Sequence, residues 1–248
     1  MSVLKAVNER IGFDKDVAFE NLNELLEHFA LAFSFDNLAI VEQKRYPVTL
    51  ENITHKLLRP KSGGLCYELN PLLYLYLSEL GFSVKLTRAT VYNADEDSWG
   101  LGKPTHLFVT LEHEGKSHLL DVGFGANLAL APIPLSGEVV SSRVGEFYIT
   151  NKPTMHGSHR LMMKLRHKHT EFVTGYAFDP DDHLSSIEAG LEIIEDLVAT
   201  KSHFANGKLH IKNTTDGHIT TTEHSITTTK NYVSTKLDLN PDADQTSR

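Results

Sequence analysis

The chain has 248 residues, 40% of them apolar and 23% charged, a composition that supports a sizeable core and excludes disorder along its whole length. Asp and Glu number 32 against 24 Lys and Arg, a formal charge of −8, which argues against nucleic acid and anionic membranes as partners. A single cysteine excludes an intrachain disulfide and any four-cysteine metal site. No run of 18 apolar residues offers a membrane span, and the charged stretch 1–13 does not read as a secretory signal, so a cytoplasmic protein is expected.

In chain order, helices come first. Val17, Phe19, Leu22, Leu25, Leu26, Phe29 and Phe33 lie close to an i, i+3, i+4 stripe and predict a helix over residues 17–33. A second helix is predicted from Cys66 to Leu80, closed by Gly81 in a left-handed cap, with Pro71 delaying its start or bending it. From Phe82 the period changes, and strands are predicted over 83–92, 105–112, 117–122, 146–150 and 159–166. A late helix is expected over 187–199. Beyond Gly207, strands at 208–212 and 219–223 flank a turn containing Asp216 and Gly217, and the threonine runs at 220–222 and 227–229 suit edge strands. The tail from Asn240 is polar. Helices, then strands, then a mixed end make the class α+β rather than alternating βαβ, and the length allows one large domain or two to three subdomains sharing a core.

The lone cysteine sits in Lys61-Ser62-Gly63-Gly64-Leu65-Cys66-Tyr67-Glu68-Leu69-Asn70, where a glycine pair gives way to a helix. Glycines allow close approach of a ligand, and a helix N-terminus favours thiolate over thiol. A nucleophilic thiol needs a base. With a two-residue turn at Glu114 and Gly115, the hairpin register sets His106 opposite Gly123 and makes Asp121 its diagonal neighbour on the same face, within reach of a ring–carboxylate bond; a shift by two would set the two directly opposite, and an odd-length loop would part them. Cys66, His106 and Asp121 are therefore a candidate Cys-His-Asp set, in which Cys66 attacks, His106 takes its proton and Asp121 holds the imidazole tautomer. On a strand, His167 and His169 would share a face, but no third metal ligand is identifiable beside them, and no metal is expected. The acidic cluster at 179–182 reads as a turn.

These residues resemble the arylamine N-acetyltransferases. That family carries an Arg-Gly-Gly-x-Cys motif followed by Glu and Asn, a downstream histidine, and an Asp-Val-Gly-Phe-Gly segment. Gly63, Gly64, Cys66, Glu68, Asn70, His106 and the whole of Asp121-Val122-Gly123-Phe124-Gly125 match, and Phe35-Asp36-Asn37-Leu38 is similar to the family's Phe-Glu-Asn-Leu. The resemblance implies three subdomains: an N-terminal helical bundle over 1–82 carrying Cys66, a central antiparallel β-barrel over 83–184 carrying His106 and Asp121, and a C-terminal α/β lid over 185–248. It also implies ping-pong acetyl transfer from acetyl-CoA to an aromatic amine or hydrazine, a reaction of xenobiotic metabolism, with coenzyme A as the other product. On this basis Phe35, Phe124 and Phe204 are candidates for the acceptor pocket, and Gly125 and Ser202 for coenzyme A contacts. An oxyanion hole is expected from the Cys66 N–H and an N–H just before His106. Two positions depart from the pattern: Ser62 stands in place of the motif arginine and Asp36 in place of the glutamate, so the family's ion pair is absent as a pair, with Arg59, Lys61 or loop N–H groups as substitutes for Asp36. The alternatives are another thiol enzyme with the same triad, transglutaminase-like or papain-like, and a silent binding protein of the same fold.

Overall fold

The structure is a computed structural model that describes residues 3–42, 47, 49–100, 102–190 and 207–239. Helices α1 (Val3–Ile11), α2 (Leu22–Ala32), α3 (Leu38–Val41), α4 (Leu50–Leu57) and α5 (Cys66–Glu79) make up its first third, with strands β1 (Ser34–Asp36) and β2 (Gly63–Gly64) between them. Leu22, Leu25, Leu26 and Phe29 of α2 are buried, the stripe that the sequence periodicity picks out. They pack with Leu69, Leu72, Leu73 and Tyr76 of α5 in one core.

Helix α5 begins at Cys66 despite Pro71, which lies inside it. Its start is secured by Glu68, whose carboxylate accepts from the Leu65 N–H at 3.1 Å and pairs with Lys56 at 2.7 Å. Its end is a Schellman motif: Phe82 N–H donates to Leu77 O and Gly81 N–H to Ser78 O, both at 3.0 Å, with Gly81 at φ +87°.

The middle of the chain forms an eight-stranded antiparallel sheet from β3 (Ser83–Val91), β4 (His106–His113), β5 (Lys116–Leu120), β6 (Ile133–Pro134), β7 (Val140–Ser141), β8 (Gly145–Thr150), β9 (His159–Leu165) and β10 (Val173–Phe178), in the order β6-β5-β4-β3-β10-β9-β8-β7. β6 packs against β8, so the sheet nearly closes into a barrel. Phe108, Phe147, Ile149, Leu161, Tyr176 and Phe178 fill its interior. The β4–β5 turn is the two-residue one expected, with His113 opposite Lys116 and both Glu114 (φ 49°) and Gly115 (φ 73°) left-handed.

A second sheet joins the chain's two ends. Strands β11 (Leu209–Thr214), β12 (Gly217–Thr222), β13 (Ser225–Lys230) and β14 (Val233–Asp238) form an antiparallel meander whose β11 pairs with β1, and β1 runs parallel to β2. The turn between β11 and β12 falls one residue earlier than expected. Thr214 faces Gly217, so Thr215 and Asp216 turn the chain, while Gly217 is a strand residue whose missing Cβ leaves room for Thr229 O. The architecture is the α+β class expected, with the helical bundle and nearly closed barrel that the resemblance implied; of the expected C-terminal α/β lid, the described residues show the strands β11–β14. Of the late helix expected over 187–199, a 3-10 turn is seen at Glu188–Gly190 and the remainder lies outside the described residues. No described helix is long and apolar enough to cross a membrane.

Candidate active site

Cys66 is the first residue of α5 and is 7% exposed. Gly123 brings it to the barrel. A Cβ at that position would stand 2.7 Å from both Cys66 Cα and Asn70 Nδ2, so only glycine lets the chain leaving β5 lie against the start of α5. Cys66 Sγ faces Thr105 O at 3.8 Å, and its neighbour on the same strand entry is His106.

His106 Nε2 meets Asp121 Oδ2 at 2.7 Å, with both side chains almost fully buried. Burial acts to lower the pKa of the imidazole, but Asp121 and Cys66 together outweigh it and hold the proton on His106 up to about 10. The turn and register expected of the hairpin hold as far as the ladder reaches, and the ring–carboxylate contact lies just beyond its end. The register runs from His113 opposite Lys116 to Val109 opposite Leu120, and the chain then continues past the ladder to Asp121.

Asp121 gathers three further donors. Tyr176 Oη donates to Oδ2 at 3.1 Å, and Asn70 Nδ2 and the Gly123 N–H donate to Oδ1 at 2.9 and 2.8 Å. Asn70 also donates to Leu107 O at 2.6 Å and accepts from the Val122 N–H at 3.0 Å, so one amide ties α5 to β4 and to the segment carrying Asp121. Burial, followed by the charge of Asp121, raises the Tyr176 phenol well above its ordinary range, which keeps it a donor. Tyr176 and Phe124 both pack on the His106 ring, at centroid distances of 4.9 and 5.1 Å.

Cys66 and His106 open onto a cleft of about 710 Å³. Phe35, Leu65, Val91, Phe124 and Met163 give it an apolar wall, and Asp95, His167, Lys168, His169 and His218 stand along it. Of the expected binding residues, Phe35 and Phe124 line this cleft. Gly125 is a left-handed turn residue (φ 65°) packed on Ile211, with its carbonyl accepting from Asn213 at 3.3 Å, and it is not part of the cleft wall. Ser202 and Phe204 lie outside the described residues. Thr105 does not supply an oxyanion-hole amide, because its N–H donates to Ala89 O at 3.0 Å.

His167 and His169 are not on a strand; they follow β9 in a turn. His167 packs on His218 at 5.0 Å between centroids, Lys168 pairs with Asp95 at 2.9 Å, and His169 Nδ1 accepts from the Leu165 N–H at 3.2 Å. Burial, with help from His167 and Arg143, lowers the His218 pKa to about 4. Among the described residues, no three His, Cys, Asp or Glu side chains converge as a metal site. Asp36 is buried and accepts from Ser34 Oγ at 3.0 Å and from the Leu38 N–H at 3.3 Å; Arg59 instead lies against His55 at 2.8 Å.

A family model described as N-acetyltransferase matches residues 18–246. An uncharacterised acetyltransferase of Bacillus subtilis (strain 168) is 41% identical over 219 residues, covering 87% of this chain and 84% of the relative. A probable arylamine N-acetyltransferase of Dictyostelium discoideum is 32% identical over 66% of this chain, which spans 54% of that protein's length. An arylamine N-acetyltransferase from Bacillus cereus, described as having a unique Cys-His-Glu catalytic triad, superposes with a TM-score of 0.89 at 33% identity, over 96% of this chain and 93% of that one. The arylamine N-acetyltransferase of Mycobacterium marinum in complex with CoA shares the fold, with a TM-score of 0.79 at 22% identity, covering 95% of this chain and 86% of that one. In the present chain the carboxylate that meets the imidazole is an aspartate.

Proposed function

Because the chain belongs to the arylamine N-acetyltransferase family, and is thus an acyltransferase, we propose that it transfers the acetyl group of acetyl-CoA to an aromatic amine or hydrazine through an acetyl-Cys66 intermediate. The observation that carries this reading is the buried 2.7 Å contact of His106 with Asp121, on a ring that also faces Cys66 at the floor of a mostly apolar cleft.

With the proton already held on His106, Cys66 attacks the thioester carbonyl as a thiolate. A carbon–sulfur bond to Cys66 forms and the bond to the coenzyme sulfur breaks, with His106 returning a proton to the leaving thiolate. The amine nitrogen then attacks the acetyl-Cys66 carbonyl. His106 takes the nitrogen's proton, and Cys66 leaves as thiolate. Asp121 fixes the imidazole so that the nitrogen away from the carboxylate serves the sulfur. Phe35 and Phe124 offer faces on which an aromatic acceptor stacks. The Mycobacterium marinum complex supports coenzyme A as partner at the level of the shared fold. The expected compartment is the cytoplasm, where a lone thiol stays reduced.

A panel of aromatic amines and hydrazines tests the reading. Free coenzyme A should appear from acetyl-CoA slowly without acceptor and much faster with one, at a matching rate of N-acetyl product. Coenzyme A release that no aromatic amine accelerates, together with hydrolysis of peptide amides, would favour a thiol hydrolase instead.

A further inference from the structure

The loop leading into Cys66 is held by a residue from the first helix. Residues 62–65 pair with β1 in a short parallel register, Ser34 opposite Gly63 and Phe35 opposite Gly64. Arg10, in the last turn of α1, reaches the point where the two chains enter this pairing. Its Nη2 donates to Ala32 O at 2.8 Å and to Ser62 O at 3.3 Å, and its guanidinium lies 4.8 Å from the centre of the Phe33 ring.

Ala32 is the last residue of α2, so its carbonyl is an orphan acceptor at the negative end of the helix. Lys212 of β11 donates to the neighbouring Leu31 O, so two cations converge on the end of α2. Of these two, Arg10 is the one seen to grip the Cys66 loop. Both bonds leave the single Nη2, whose two N–H bonds lie in the guanidinium plane, and that plane is set by the contact with Phe33, a fixed direction that a rotating ammonium lacks. Among the described residues, the buried Arg10 Nε meets no hydrogen-bond partner, a cost that a surface helix cap would not incur.

We propose that Arg10 is a positioning residue for acyl transfer, fixing the approach of residues 62–65 to β1 and thereby the place where Cys66 Sγ meets His106. The inference rests on the reading of Cys66 as nucleophile. It also assigns Arg10 to the loop where the sequence has Ser62 in place of an arginine.

The test compares Arg10→Gln, Arg10→Lys and, as control, Arg59→Gln, by the rate at which iodoacetamide alkylates Cys66 and by the rate of acetyl transfer. A misplaced thiol loses its partnership with the imidazole, so Arg10→Gln should lose about ten-fold or more in both rates near about pH 6. At about pH 9.5 a free thiol ionises unaided, and alkylation should return to within about two-fold of the parent. Arg10→Lys should fall between the two, and Arg59→Gln should match the parent. Parent-like alkylation of Arg10→Gln at both pH values would overturn the proposal, as would equal slowing at both, which denotes general loosening. Should Arg10→Gln not fold by circular dichroism, the same pH contrast in Arg10→Lys decides. Acetyl transfer by Cys66→Ala would instead refute the nucleophile, leaving the Arg10 comparison by alkylation separately readable.

Discussion

Asp121 is a buried carboxylate with four donors, and each donor has a separate consequence. In Asp121→Asn the amide presents a donor to the imidazole and removes the charge that opposes burial. His106 should then lose its proton readily and favour the wrong tautomer. By analogy with a serine triad, turnover should fall by about 10⁴, with Cys66 present but alkylated slowly near neutral pH. Unchanged turnover and alkylation would reduce Asp121 to a turn cap. Tyr176→Phe fits the same space but deletes a hydrogen bond to a charged group, a change of roughly 1.5–3 kcal/mol. Urea unfolding should register that loss, and turnover should drop about ten-fold as the carboxylate gains freedom. A stable protein with full turnover would show that the phenol only fills space.

The elements meet at the site because glycines let backbones touch. A Cβ on Gly123 would press on Cys66 Cα, and one on Gly63 would come within 2.3 Å of Asp36 Oδ2. Gly123→Ala should therefore displace the start of α5 from the barrel, lowering acetyl transfer far more than it lowers the melting temperature, measured side by side. A loss confined to stability would contradict the close approach. These junctions were legible in the sequence wherever local chemistry is strong: the glycine pair before Cys66, Gly81 after α5, and the Glu114 and Gly115 turn that aligns His106 with Asp121. Strand β10 was not, although it supplies Tyr176. Gly175 interrupts its run, the register shifts between Thr174 and Tyr176, and a Cβ on Gly175 would stand 3.3 Å from Phe124, so its glycine reflects tertiary crowding rather than a turn. β14 was missed for the opposite reason. All six of its residues are exposed, so burial imposes no pattern on them. Arg10 was invisible as a site residue because its partners are backbone carbonyls at Ala32 and Ser62, which carry no side-chain signature.

At the scale of the whole molecule, stability should carry the signature of the buried His106. Its pKa in the fold is raised from 6.5 to about 10, so its contribution is fully present below about pH 6.5 and is lost as pH rises toward 10. The urea midpoint should decline across that window, and Asp121→Asn should flatten the decline because the raising charge is gone. An equal slope in both proteins would place the titration elsewhere. The central claim, that helical bundle and barrel are joined so that Cys66 carries the acyl group, is tested most directly by intact-protein mass after incubation with acetyl-CoA. The chain should gain the mass of a single acetyl group on the peptide containing Cys66, lose it on addition of an aromatic amine, and gain nothing as Cys66→Ala. An adduct that persists in Cys66→Ala, or no adduct on the parent, would contradict it.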